Sequence, residues 1–102
     1  MLNFQLAVKP QTEQRLKKIL NQLQDAEIFA QGFIHYQISE LQKSNLNIKL
    51  DLTAFEKKYN LRSEDFYQKF SQGVIEDSED FMIWSGLYEM FCQNQNQLNE
   101  LA

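Results

Sequence analysis

Few side chains in this sequence are suited to chemistry. His35 is the only histidine and Cys92 the only cysteine. A cysteine nucleophile needs a base within hydrogen-bond reach. These two fall in different helical stretches, with no glycine-rich loop near either. His35 lies between Ile34 and Tyr36 and reads as a structural or surface imidazole. Cys92 follows Phe91 and reads as a small packing residue. Structural zinc takes four Cys or His ligands, more than the chain possesses. The run Glu76-Asp77-Ser78-Glu79-Asp80 lacks the glycine and the ordered ligand spacing of a calcium loop. It reads as a helix N-terminus carrying the anions that suit the helix dipole. Three glycines, Gly32, Gly73 and Gly86, build no phosphate-cradling motif. The sequence therefore predicts a protein that is not an enzyme and uses no metal or cofactor.

Charge is more informative. Residues 1–49 carry six cations and four anions; the remainder carries four cations and ten anions, and none of those cations follows Lys69. A basic front and an acidic back suit two kinds of partner, although solvated helix surface would look the same. With 102 residues and 43% hydrophobic side chains, there is material for one modest core. No apolar run approaches the roughly 18 residues of a membrane span. The start has no charged leader followed by an apolar stretch, and a lone cysteine makes no internal disulfide. A cytoplasmic protein without a membrane partner is the expectation.

The elements follow from periodicity. Leu2, Phe4, Leu6 and Val8 alternate with Asn3, Gln5, Ala7 and Lys9, which predicts a short strand ending at Pro10. A lone strand needs a partner, and the simplest is the same strand of a second copy, giving a homodimer. A helical period runs from Gln11 to Leu23 and another from Asp25 to Lys43. The two are either separated near Gln24-Asp25 or continuous, and Asp25 as an N-cap favours the break. Residues 44–49, opening with Ser44-Asn45-Leu46-Asn47, read as a linker. Three helical pieces follow. The first runs from Leu50 to Tyr59 and stops at Asn60; the second is capped by Ser63 and stopped by Gly73; the third is capped by Asp77 or Ser78. The fold class is thus mainly α, with an N-terminal strand paired across a dimer and a helical C-terminal module.

An antiparallel pair of such strands would present Asn3, Gln5 and Lys9, side chains able to read base edges in a major groove. Arg15, Lys17 and Lys18 could then reach phosphates. The alternative is a strand that only holds the dimer together.

Residues 2–43 resemble the ribbon-helix-helix family of DNA-binding dimers, through the alternating strand and the two helices that follow. The resemblance implies operator DNA as a partner, with Asn3, Gln5 and Ala7 on the bases and Lys9 at the end of the strand. It departs from the family at Gln24-Asp25-Ala26-Glu27, where a glycine turn followed by Ser or Thr is common. Residues 54–90 are similar to a segment of small cyanobacterial antitoxin-like proteins. The shared residues are Lys58-Tyr59, Leu61, Ser63-Glu64-Asp65-Phe66-Tyr67, Phe70 and Gly73, then Asp77, Glu79-Asp80-Phe81, Trp84 and Leu87-Tyr88-Glu89-Met90. That likeness implies the antitoxin of a type II toxin–antitoxin system. Its N-terminal region, residues 1–43, would repress its own operon, and its module, residues 50–102, would hold a cognate toxin protein. Phe66, Tyr67, Glu79, Asp80, Phe81, Trp84 and Tyr88 would make the toxin contacts. Most of these aromatics have core spacing, which leaves one or two as anchors. The competing reading is a helical dimer that binds no DNA and serves as an adaptor or assembly protein.

Overall fold

A computed structural model describes residues 7–22 and 25–102. These form four helices: α1 (Pro10–Gln22), α2 (Ala26–Tyr59), α3 (Ser63–Ser71) and α4 (Glu79–Leu101). The mainly helical class is found, and the strand-paired ribbon is not. Among the described residues there is no strand or sheet. Leu2, Asn3, Phe4, Gln5 and Leu6 lie outside them, while Ala7, Val8 and Lys9 have no regular structure. Pro10 opens α1, where its missing N–H is no loss. The Lys9 carbonyl accepts from the Glu13 N–H at 3.0 Å, so the end of the expected strand already serves as the first acceptor of a helix. Alternation supplies one apolar face but no ladder partner, and without a partner a strand of this length has nothing to hold it.

The chain divides into two compact units, Met1–His35 and Tyr36–Ala102. The first holds α1 and the start of α2. Two helices fill this region rather than one. The Asp25 carboxylate accepts from the Glu27 N–H at 2.9 Å, capping α2. Leu16 and Phe29 are half-buried, and no residue of α1 is fully buried.

The second unit corrects the expected linker. Residues 44–49 are helical, and the segments expected at 25–43 and 50–59 belong to one 34-residue helix. Neither glycine nor proline interrupts it between Gly32 and Tyr59. Leu41, Asn45, Ile48, Leu52, Phe55 and Tyr59 recur at alternating spacings of four and three, the pattern of a helix seam. Two of the polar residues that look like a linker, Ser44 and Asn45, bond to α4. Asn45 donates to the Phe91 carbonyl at 3.3 Å, and Asn94 donates to Asn45 Oδ1 at 3.0 Å and to Ser44 Oγ at 3.2 Å. At the other end of the seam, Lys58 and Tyr59 both donate to Asp80. These pairings make α4 antiparallel to α2.

Helix α3 closes the unit. Asn60, at φ 52°, turns the chain out of α2. Gly73, at φ 75°, ends α3 in a Schellman motif: the Val74 N–H donates to the Lys69 carbonyl and the Gly73 N–H to the Phe70 carbonyl. Ser78 caps α4, accepting from the Phe81 N–H at 3.1 Å. Ile48, Leu52, Phe66 and Trp84 form the buried centre, ringed by half-buried side chains that include Phe55, Phe81 and Phe91. Burying a side chain of Phe66's size contributes about 1.5–3 kcal/mol.

Candidate partner-binding surface

The aromatic residues expected to grip a partner are mostly occupied with one another. The Trp84 indole stacks on Phe66 with centroids 3.8 Å apart and planes 2° from parallel; Phe55 also stacks with it, at 5.5 Å. Its N–H donates to Ser63 Oγ at 2.9 Å, satisfying a polar group that would otherwise be buried unpaired. Ser63 therefore does not cap α3. Arg62 holds the cap position without a side-chain bond, and the Glu56 carboxylate reaches across to accept from the Ser63 N–H at 2.9 Å. That carboxylate sits where the helix dipole favours negative charge.

Phe66 and Trp84 are 0% exposed and have no surface to offer a partner. Phe81 is half-buried against Tyr59 and Phe66. Tyr67 and Tyr88 are half-buried beside one another at 5.0 Å, and Tyr67 donates to Glu89 at 2.6 Å. That hydrogen bond, ahead of burial, raises the Tyr67 hydroxyl above its ordinary pKa. Tyr88 is pushed up to about 12, by burial first and then by its hydrogen bond with Cys92. Asp80 is tied to α2. Hydrogen bonds from Lys58 and then Tyr59 hold its carboxyl below the usual range, and the same hydrogen bond raises Lys58. Of the two expected acidic contacts, only Glu79 is exposed.

The outward side of α4 lies elsewhere. At about 100° per residue, Glu79, Met82, Ile83, Gly86 and Met90 face away from Phe81, Trp84, Tyr88 and Phe91. Met82 is 63% exposed, Ile83 47% and Met90 50%. Sequence reasoning missed these three because it followed the aromatic residues. The signal was available: α4 carries apolar side chains on both faces, and the core can take only one. Val74, in the loop before α4, is also exposed.

In the first unit, Lys9, Arg15, Lys17 and Lys18 are all exposed, and Lys17 pairs with Glu13 at 3.2 Å. Ala7 is exposed in irregular chain, and Asn3 and Gln5 lie outside the described residues. Among the described residues there is no ribbon to aim these side chains at a groove. The homodimer and operator-DNA expectations were built on that ribbon and lose their basis with it. Ile19, Leu20, Ile28, Phe33 and Ile34 of this unit stand in solvent.

Among the described residues, no three His, Cys, Asp or Glu side chains gather as metal ligands. His35 is exposed and belongs to the first unit, while Cys92 is half-buried in the second. A recess of about 280 Å³ in the second unit is lined by Lys49, Thr53, Glu56, Glu64 and Tyr88 among others. It is smaller than most small-molecule sites. No described helix is long and apolar enough to cross a membrane. No protein family, curated protein or solved structure matches the chain.

Proposed function

We propose that this chain is a non-catalytic protein-binding module of the antitoxin class, whose C-terminal unit holds a basic partner protein. One observation carries the reading. Beyond Lys69 there are six carboxylates and no cation, and in the same stretch Val74, Met82, Ile83 and Met90 stand in water. One-signed charge around exposed apolar side chains suits a partner of opposite sign, which it steers and orients. A basic nuclease-type toxin is such a partner, since carboxylates would occupy the sites of its substrate's phosphates. The likeness of residues 54–90 to antitoxin-like proteins points the same way. Because the unit has its own core, binding would not bear the entropy of folding it.

Co-expression with the protein encoded beside this gene tests the proposal. The neighbour alone should arrest growth, and the pair should grow and co-purify. A neighbour that binds without being toxic makes this chain an adaptor. A neighbour that does not bind overturns the proposal.

A further inference from the structure

Helix α4 has two apolar faces, and the core accounts for one. The other presents Met82, Ile83 and Met90 over about two turns, a length of about 12 Å. Gly86 lies between them, and a Cβ placed there would meet nothing within 4 Å, so the strip is open and low at its centre. Glu79 and Glu89 lie along the helix beside this strip, with Glu76 and Asp77 just before its start. No cation lies on α4 or on the loop before it.

We propose that this strip docks one amphipathic helix of a partner protein, with an apolar stripe flanked by Lys and Arg. The inference rests on the protein-binding reading above and names its surface. Charge selects the occupant. A second copy's α4 would set carboxylates against carboxylates, whereas a basic-flanked helix pairs with them. Two methionines among the three apolar side chains give a surface that can adapt to its partner's shape.

The test uses the full chain and two labelled synthetic peptides. One is a helix with leucines at helical spacing flanked by lysines; the other is its glutamate-flanked counterpart. The lysine peptide should bind, more weakly as salt rises, and the glutamate peptide should not. The triple variant Met82→Ser, Ile83→Ser, Met90→Ser should lose at least about tenfold in affinity. Its thermal unfolding and Trp84 emission should match the parent, because none of the three side chains is in the core. Phe33→Ser, in the first unit, should leave peptide binding unchanged. Undiminished binding by the triple variant, or equal binding of both peptides, overturns the proposal. So does a parent that sediments as a dimer and a triple variant that sediments as a monomer, since the occupant is then a second copy. If the protein encoded next door binds the triple variant at full strength, the strip is overturned and the protein-binding function stands.

Discussion

Helices α1 and α3 are both short, both carry acid in the first turn, and both have an apolar stripe. Yet α1 has 13 residues and buries none, whereas α3 has nine and buries Ser63 and Phe66. The difference lies in what surrounds them. Phe66 stacks on an indole from α4, and the backbone of Ser63 is held by a carboxylate from α2. An amphipathic pattern makes a helix, but only a complementary neighbour makes it part of a core.

The largest effects should therefore fall around α3. Trp84→Ala or Phe66→Ala should cost about 3–5 kcal/mol in chemical denaturation followed by circular dichroism. Ile19→Ala in α1 should change stability by no more than about 0.5 kcal/mol. A cost for Ile19→Ala equal to that for Phe66→Ala would erase the contrast. Ser63→Ala leaves the Trp84 indole N–H buried without an acceptor and should cost about 1–3 kcal/mol. Ser78→Ala, which removes only an exposed cap, should cost about 1 kcal/mol. A Ser63→Ala cost below about 0.5 kcal/mol would contradict the role given to the buried Trp84–Ser63 bond.

Acid and alkaline titration sharpen the contrast further. Tyr88 has a raised folded pKa, so its contribution is complete below the unfolded value of about 10 and is lost as pH rises towards 12. Tyrosinate absorbance should show Tyr88→Phe removing the last-titrating group. Asp80 is depressed, so its contribution holds above about pH 4 and is lost as pH falls through its folded value. Asp80→Asn should flatten the acid limb of the stability curve. The smallest effect belongs to α1: Lys17→Ala breaks an exposed pair with Glu13 and should cost at most about 0.5 kcal/mol.

Local signals were legible where local forces decide. Asn60, Gly73 and Ser78 were all read as helix boundaries, and each acts as one through its own backbone or hydroxyl. Signals that depend on distant partners misled. Ser44-Asn45-Leu46-Asn47 has linker composition, but Asn94, some fifty residues away, bonds Ser44 and Asn45 while all four residues stay helical. Ser63 has the composition of a cap, but Trp84 takes its hydroxyl. Alternation from Leu2 to Val8 has no partner strand among the described residues, and the strand reading supplied one from a second copy. The acidic charge of the C-terminal half was legible, and core spacing already pointed most of the large aromatics inward. Met82, Ile83 and Met90, which that spacing leaves outside, were not singled out.

The central claim is that a folded, acidic C-terminal unit binds a basic protein. Titration calorimetry of the full chain with the purified product of the adjoining gene, at low and at high salt, tests it most directly. The account predicts saturable binding at low salt, a steep loss of affinity as salt rises, and Trp84 emission unchanged on binding. No heat at low salt, or an affinity indifferent to salt, would contradict it.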